Sequence, residues 1–569
     1  VSEQLSREEI LEQAYRLGLD QLGGTLATTH AEDGTPYVTF VLFHLRPNGE
    51  VLFGSGTRPQ HTRNIRATPE VSFLIDNREV IRSDWTAFNR VVIEGRAEEV
   101  ARESEAYTPL LRELEAKNKM AAVEYPEAIA YLLSLSDMER GYQASANPTM
   151  SVASMRSLLS RLNDPHLGRP TVHITGSKGK GTTSAMIAGI LREAGYSTAL
   201  YTSPHLHSFT ERIAIGGEPV SPEEFAAGLS AIQPAVEAER ESVHGDVSTF
   251  GVLTALFFWL VRAQLPPVDW QVVEVGLGGT FDATNVFEAT DVAVITPISL
   301  EHTQILGSTT VEIARDKSGI IKRGTTAVVA RQRDPAVLEV IRERCAEVGA
   351  ELVDAGSLYD VEVTEMHPWG QRLAVRRPGG EMLELRTPML GRHQAENAMT
   401  AVAVADAIRA RGFELDDRAI AEGIARVRVP GRLEVMGQKP LIVADGAHNG
   451  ESAGALARAL REYFTWKRCF LVIGVTRDKD LRAMGFELAK LAELIVCVGF
   501  RNPRAMDPYE MIQQIGFLGP AAVAEETVAA GLDTALAHAN PDDLVCITGS
   551  LYVVAEAREA ILGESVIRG

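Results

Sequence analysis

The first hundred positions alternate short runs of β-forming residues with turn signals. GTLATTH, YVTFVLFHL, VLFGSG, VSFLID and VVIEGRAEEV, spread from Gly24 to Val100, are separated by segments such as EDGTP and PNGE. Strands of that length and spacing predict a small barrel or sandwich. A charged stretch from Tyr107 to Lys119 follows, and its lack of Gly and Ser marks it as a domain-edge helix and not a flexible linker. After about Pro126 the texture changes. TVHIT, STALY, WQVVEV, DVAVITP and TAVVA are continuous apolar runs set between long amphipathic segments, as expected of strands covered on both faces of a parallel sheet. A patch of three β runs between Tyr359 and Arg386 interrupts the alternation. A second set, LIVAD, CFLVIGV, LIVCVGF and DLVCITG, begins at Leu441, and the turn at Pro430-Gly431 separates the two sets. The pattern predicts an α/β protein of three domains: a small β domain over 1–125, a parallel-sheet domain over 126–430 and a second α/β domain over 431–569.

A chain of 569 residues exceeds what one hydrophobic core supports, which agrees with a multidomain reading. The net charge of -20 argues against general binding to nucleic acid or to an anionic membrane, since phosphate polymers are held by Lys and Arg. The longest apolar run, Thr254 to Val261, is far shorter than the ~18–20 residues that span a bilayer. The opening VSEQLSREEILEQA has neither a basic nor an apolar leader region, so a cytoplasmic protein is expected. Cys345, Cys469, Cys497 and Cys546 form no CxxC pair and read as buried small hydrophobes.

The sharpest chemical signal follows the run Thr171–Thr175. Gly176-Ser177-Lys178-Gly179-Lys180-Gly181-Thr182-Thr183 leads into a helix-compatible segment from Ser184 to Ala194. In a strand–turn–helix context, glycines let backbone N–H groups wrap a phosphate, Lys180 reaches the terminal phosphates and the Thr182 hydroxyl suits Mg²⁺. Gly181 stands between lysine and hydroxyl, so the loop departs from the common GxxxxGK[ST].

From this loop onward the chain resembles the Mur ligase superfamily, specifically its folylpolyglutamate synthase/dihydrofolate synthase branch, over about 430 residues. The motifs that carry the resemblance run in order. They are Thr202-Ser203-Pro204-His205-Leu206 with Glu211-Arg212-Ile213; Glu274 to Gly279 with Asp282-Ala283-Thr284-Asn285; Glu301-His302-Thr303; and Asp316 to Lys322. Gly391-Arg392-His393-Gln394 with Asn397, Pro430 to Glu434, Asp445 to Asn449, Asp478-Lys479-Asp480 and Gly549 to Tyr552 complete the set. The resemblance implies a central phosphate-loop ATPase domain and a C-terminal Rossmann-like domain. It also implies an ATP- and Mg²⁺-dependent ligase that activates a carboxylate as an acyl phosphate. Charge then builds up on phosphoryl oxygens, which a metal and lysines stabilise.

The resemblance assigns Thr182, Ser203, Glu274 and His302 to the metal. Gly176, Gly179, Lys180, Gly181, Thr182, Asn397, Arg432 and Asp445 go to ATP, and Lys180, Lys317, Glu274 and His302 to catalysis. Phe250, Phe281, His448 and Ser550 go to the substrates. Taken singly, Glu274 also reads as a buried ion-pair member and His302 as a core histidine. Lys317 matches a lysine that is carbamylated in the family, since a desolvated amine near cations loses its proton and captures CO₂. The alternative is an exposed helix lysine pairing with Asp316 or Glu312.

Departures from the family pattern cluster near the acceptor. Gly251 follows Phe250 where Glu is usual, and Thr280 stands where Arg follows the double glycine. Glu301 replaces Asp, Val429 replaces Trp and Gly450 replaces Pro.

Residues 1–125 resemble the pyridoxamine-phosphate-oxidase-like, FMN-binding split barrels. The resemblance rests on Leu26-Ala27-Thr28-Thr29 with Gly34-Thr35-Pro36, on His61 to Ile65 and on Glu94 to Ala97. It places Arg63 at the flavin phosphate, while a dimerising appendage is the alternative. The expected function is ATP-dependent addition of L-glutamate to a folate, or to dihydropteroate. A Mur-type ligase for a different carboxylate is the alternative among enzymes, and a flavin oxidoreductase with a regulatory ATP-sensing half is the alternative from another class.

Overall fold

A computed structural model describes strand residues 23–29, 36–45, 51–53, 70–76 and 90–96, the single position Ala67, residues 124–135, and residues 148–563 apart from Asp246 and Leu265. Arg63 and the segment Tyr107–Lys119 lie outside the described residues. The chain forms two compact units. One comprises Val1–Ala128 with Ala226–Gln233 and Ala263–Pro267, and the other comprises the remainder.

The first unit holds a five-stranded antiparallel sheet of β1 (Gly23–Thr29), β2 (Pro36–Leu45), β3 (Val51–Phe53), β4 (Glu70–Asp76) and β5 (Arg90–Arg96), in the order β3-β2-β1-β4-β5. All five fall on the β runs read from the sequence.

The second unit is built on two α/β sheets. The larger contains β6 (Thr171–Thr175), β7 (Thr198–Tyr201), β8 (Ile213–Ile215), β9 (Glu218–Pro219), β10 (Trp270–Glu274), β11 (Val292–Ile295), β12 (Thr326–Val329) and β13 (Glu351–Asp354), ordered β13-β12-β11-β6-β10-β7-β8-β9. All neighbours from β13 to β7 pair parallel, and β8 and β9 add an antiparallel edge. The order reverses around β6, which lies between β10 and β11 and so opens a crevice at its C-terminal end. Period-two alternation decides what covers each face. Val292 and Val294 of β11 join the cluster with the helices Lys180–Glu193 and Arg392–Ala410. Ala293 and Ile295 face Ile313, Val337 and Ile341 on the other side. Because both faces are covered, the strands are apolar throughout.

β14 (Asp360–His367), β15 (Gly370–Arg376) and β16 (Met382–Thr387) form an antiparallel sheet, as the three-run patch predicts. Buried Arg377 ties its end to two helices. It donates to Asp417 at 2.8 and 2.7 Å and to Asp406 at 3.0 Å.

The second α/β sheet contains β17 (Glu434–Gln438), β18 (Leu441–Ala444), β19 (Cys469–Ile473), β20 (Ala492–Val498), β21 (Ala521–Glu525) and β22 (Leu544–Thr548), ordered β17-β18-β22-β19-β20-β21. Only β17 is antiparallel. All four cysteines are buried and unpaired. Among the described residues no helix is long and apolar enough to cross a membrane.

The phosphate-loop helix Lys180–Glu193 crosses the helix Asp417–Arg426 at two glycines. A Cβ on Gly423 would sit 2.5 Å from Ile190 Cα, and one on Gly189 would sit 2.9 Å from the Gly423 carbonyl oxygen. The backbones touch there, so a side chain must push the loop helix outward. Gly423→Val is therefore expected to destabilise the protein by about 1–3 kcal/mol through overpacking. A lower thermal unfolding midpoint together with weaker nucleotide binding would check it.

Candidate functional site

Five buried residues of β6 deliver the chain to Gly176 at the switch point. The loop is held by its backbone, with Ser177 N–H and Lys178 N–H donating to Pro297 O at 3.0 and 3.2 Å. Gly176 (φ 147) and Gly179 (φ 85) are both in the positive-φ region. A Cβ on Gly176 would meet Thr296 Oγ1 at 1.9 Å, and one on Gly179 would meet Asn397 Oδ1 at 2.4 Å. Conformation and space thus both require glycine. Gly179 N-caps the following helix without a side-chain cap, which leaves first-turn N–H groups for an anion.

Two ammonium groups converge on one carbonyl. Lys180 Nζ and Lys317 Nζ each donate to Gly176 O at 2.9 Å. Lys317 is only 1% exposed, and Glu301 Oε1 lies 3.1 Å from its Nζ. Its partner is therefore Glu301, and the reading of an exposed helix lysine paired with Asp316 or Glu312 is wrong. Burial first, then the Lys180 charge, pushes the Lys317 amine down to about 8. Burial works against ionisation of Glu301, but Lys180, Lys317 and Lys178 outweigh it and hold the carboxyl below its ordinary range.

Glu274, the last residue of β10, is buried beside this cluster. Its Oε2 accepts from Ser203 N–H at 3.2 Å and lies 3.4 Å from where a Cβ on Gly181 would be. The unusual glycine thus lets the Glu274 carboxylate sit over the first turn of the loop helix. Burial raises the Glu274 carboxyl to about 7, even against Lys180, the Ser203 N–H, Arg432 and Arg212. The group is short of positive charge. Thr182, Ser203 and His302 line the same cleft, about 1450 Å³ in volume. His302 sits at φ 46, and burial holds its imidazole below its ordinary value and neutral. An undercompensated carboxylate, two hydroxyls and one neutral imidazole are a donor set that suits Mg²⁺, which keeps several waters. Among the described residues no three His, Cys, Asp or Glu side chains cluster tightly enough to ligate a metal by themselves.

The C-terminal α/β sheet supplies the opposite wall. Asp445 accepts from Leu433 N–H and Ala447 N–H, each at 2.9 Å, and burial raises its carboxyl. Arg432, between Gly431 and Leu433, lines the cleft with it. Asn397 is buried on the helix Arg392–Ala410. His448 Nδ1 bonds Gly446 O at 2.9 Å. A carbonyl only accepts, so Nδ1 carries the proton and Nε2 keeps its lone pair; burial holds this imidazole at about 4. Ser550 Oγ accepts from Tyr552 N–H at 3.2 Å as the cap of the helix Leu551–Leu562, so its hydroxyl proton is free to donate elsewhere.

Phe250 and Phe281 line another part of the cleft. The Phe250 ring covers Gly276, where a Cβ would meet its Cζ at 2.5 Å, and Phe281 is 41% exposed. Gly251 faces Met155, whose Sδ would lie 3.1 Å from an added Cβ, so the methionine fills the space a side chain would take. Thr280 Oγ1 donates to Asp316 O at 2.7 Å.

The described candidates therefore converge on one cleft, with Gly176 and Lys317 just behind its lining. Sequence reasoning gave no role to three residues. Glu301 was read only as part of a motif, although it is the ionic partner of Lys317. Lys178 lines the cleft with its amine pushed down by burial, and His393 is held at about 4 by burial. A lysine inside a glycine loop was a readable signal for Lys178. Nothing in the spacing of Glu301 or His393 pointed to their partners.

The family models that match are "Mur ligase middle domain" over residues 262–405, "Mur ligase, glutamate ligase domain" over 431–551 and "Pyridoxamine 5'-phosphate oxidase" over 11–142. A dihydrofolate synthase/folylpolyglutamate synthase of Bacillus subtilis is 33% identical over 418 residues, covering 72% of this chain and 94% of that protein. A probable bifunctional folylpolyglutamate synthase/dihydropteroate synthase of Haloferax volcanii is 37% identical over 446 residues, 77% of this chain, and the match spans only 50% of that longer protein. A Mycobacterium tuberculosis folylpolyglutamate synthase complexed with ADP superposes with a TM-score of 0.69 at 34% identity, covering 76% of this chain and 99% of the other. With two Mur ligase domain matches and a full-length relative above 30% identity, the chain belongs to the dihydrofolate synthase/folylpolyglutamate synthase family of Mur ligases.

Proposed function

We propose that this protein is an ATP-dependent ligase that adds L-glutamate to the carboxylate of a folate, and to dihydropteroate, through an acyl phosphate. The observation that carries the reading is the convergence of Lys180 and Lys317 on Gly176 O beside the undercompensated Glu274 carboxylate. Such a cluster is built to receive phosphoryl oxygens and a cation together. In this reading the loop Gly176–Thr182 with Asn397, Arg432 and Asp445 holds ATP, and the acceptor carboxylate attacks the terminal phosphorus as ADP leaves. The glutamate amine then attacks the acyl carbon and phosphate departs. Mg²⁺, held by Thr182, Ser203, Glu274 and His302, would neutralise charge on the phosphoryl oxygens. Phe250 and Phe281 flank the ring system of the acceptor. His448 Nε2 accepts from the glutamate amine, and the Ser550 hydroxyl donates to a glutamate carboxylate.

The reading assigns a carbamate to Lys317. An amine held at about 8 is neutral often enough to capture CO₂, and a negative charge there would relieve the opposition of two ammonium groups at one oxygen. The domain reading is 1–125, 126–430 and 431–569, in a cytoplasmic protein. For the N-terminal sheet two readings stand, FMN binding with Arg63 on the flavin phosphate, and a dimerising appendage. Flavin absorbance of the purified protein selects the first, and a dimer lost on truncation selects the second.

Glutamate-dependent ADP release with a panel of acceptors, read by mass spectrometry, tests the overall function; turnover confined to non-folate acids would favour a Mur-type ligase of other specificity. Glu274→Gln is expected to lower turnover at least about a hundredfold, because it removes a charge at the phosphoryl site, while leaving the unfolding midpoint unchanged or higher. Full turnover at saturating Mg²⁺ would overturn the assignment. Lys317→Arg is expected to lose activity by orders of magnitude, since guanidinium stays cationic. Wild-type protein kept under CO₂ should carry the mass of one added CO₂, and full activity without that mass would return Lys317 to a plain ion-pair role. Deleting residues 1–125 is expected to leave a folded ligase with unchanged ADP release, and loss of soluble yield would show that the ligase needs that segment to fold.

A further inference from the structure

Lys178 stands inside the phosphate loop, just before Gly179 and Lys180, and lines the main cleft. The loop fixes its backbone. Ser177 N–H and Lys178 N–H both donate to Pro297 O, and Ser177 Oγ donates to Ser299 O at 3.0 Å. The main-chain donor of Lys178 is therefore spent on the protein, and the side chain is what it offers a ligand. Among the described residues that side chain has neither a hydrogen bond nor an ion pair. The carboxylates that act on it are Glu301, on the same wall, and Glu451, on the first turn of the helix Gly450–Tyr463. Both are engaged. Glu301 Oε1 lies 3.1 Å from Lys317 Nζ, and Glu451 Oε1 accepts from Arg333 Nη1 at 2.8 Å. Burial, together with Lys180 and Arg432, outweighs these carboxylates and lowers the Lys178 amine from its ordinary value. A half-buried ammonium whose neighbouring carboxylates are paired elsewhere is short of an anion.

Which anion is missing follows from the charges already placed. In the ligase reading Lys180 and the metal serve the phosphates. Glutamate enters with two carboxylates, which only the uncharged Ser550 hydroxyl meets, and its amine is received by His448 Nε2. The cations that lower the His448 imidazole are Lys178, Lys479 and Arg432, with Lys178 weighing most. Lys479 is paired with Asp478 at 3.0 Å, and Arg432 goes to ATP in that reading, so Lys178 is the cation left for the amino acid. The amine and the α-carboxylate of an amino acid sit on one carbon, so their receptors have to be neighbours. The side-chain carboxylate lies further along the chain and is under no such constraint.

We propose that Lys178 binds the α-carboxylate of the incoming amino acid and so holds its amine against His448, beside the loop that carries the phosphoryl group. The inference rests on the ligase reading above and deepens it, since it names the residue that selects an amino acid with a free α-carboxylate.

The test compares L-glutamate with its α-amide and with its side-chain amide, L-glutamine, in the full-length protein. Lys178→Gln is expected to reduce the preference for glutamate over the α-amide, measured as the ratio of kcat/KM values, about tenfold or more, the equivalent of one charged hydrogen bond lost. The preference for glutamate over glutamine should stay as in wild type, and Lys178→Arg should keep most of both. An equal loss with all three amino acids, or no loss with any, would overturn the proposal. A loss that falls on KM for ATP with both preferences intact assigns the amine to the phosphates and overturns it too. The unfolding midpoint of Lys178→Gln should equal or exceed that of wild type, because the variant removes an unpaired, partly buried charge. A markedly lower midpoint would show that the protein itself satisfies the ammonium, against the proposal. If wild type ligates glutamate to no folate, the folate reading falls, and calorimetric titration of the ADP-saturated protein still decides the site. Tighter binding of L-glutamate than of its α-amide, with the difference lost in Lys178→Gln, supports it. Equal binding of the two, or binding of neither, overturns it.

Discussion

The carbonyl of Gly176 is the point on which the site is organised. It receives the ammonium groups of Lys180, from the helix that follows the loop, and of Lys317, from the far end of another helix. Gly176 has φ 147, so the loop turns its carbonyl toward both. Two cations on one neutral oxygen would repel strongly at low dielectric, and the fold tolerates them because Glu301 lies against one. The arrangement is a balance of charges set for a ligand with more negative charge than the protein supplies. That constraint explains why the surrounding groups are held away from their ordinary ionisation: Lys317 and Lys178 are pushed down and Glu274 up, each chiefly by burial.

Glycines set how closely the parts of this cluster approach. Gly179 admits Asn397, Gly181 brings Glu274 over the helix start, and Gly276 takes the Phe250 ring. On the far side of the loop helix, Gly189 and Gly423 let two backbones touch. The helix is therefore fixed from both sides by the absence of side chains. Hydrophobic clusters on both faces of the sheet keep its first turn aimed at the crevice.

Much of this was legible in the sequence. Strands covered on both faces, such as β6, β10 and β11, are continuous apolar runs, and each was readable from that alone. Several strands toward the edges of the two α/β sheets were not. β21 is largely exposed or half-exposed along its length and β13 similarly, so neither carries a continuous apolar signal. The β8–β9 hairpin is too short to show a period. The site divides in the same way. Lys180 and Thr182 are readable because a phosphate loop is local in sequence. The pairing of Lys317 with Glu301 joins residues on separate elements, and nearby Asp316 and Glu312 were the more obvious partners. Glu312 is occupied instead as the capping-box residue of that helix, bonded to Ser308 N–H and Thr309 N–H at 2.7 and 3.1 Å.

The departures from the family pattern can be ordered by charge. Glu301 keeps a carboxylate where Asp is usual, and it reaches Lys317 from the wall of the cleft at 3.1 Å. The substitutions that remove charge, Gly251 for Glu and Thr280 for Arg, both line the cleft. At Gly251 the space a side chain would take is bounded by Met155, whose Sδ would lie 3.1 Å from an added Cβ. At Thr280 the hydroxyl donates to Asp316 O at 2.7 Å, and the residue packs on Gly319, where an added Cβ would meet its Cα at 2.7 Å. The two positions have different surroundings, Gly251 against Met155 and Val247 and Thr280 against Gly319. Neither substitution touches the cluster at Gly176 O, where Lys180, Lys317 and Glu301 keep their charges together.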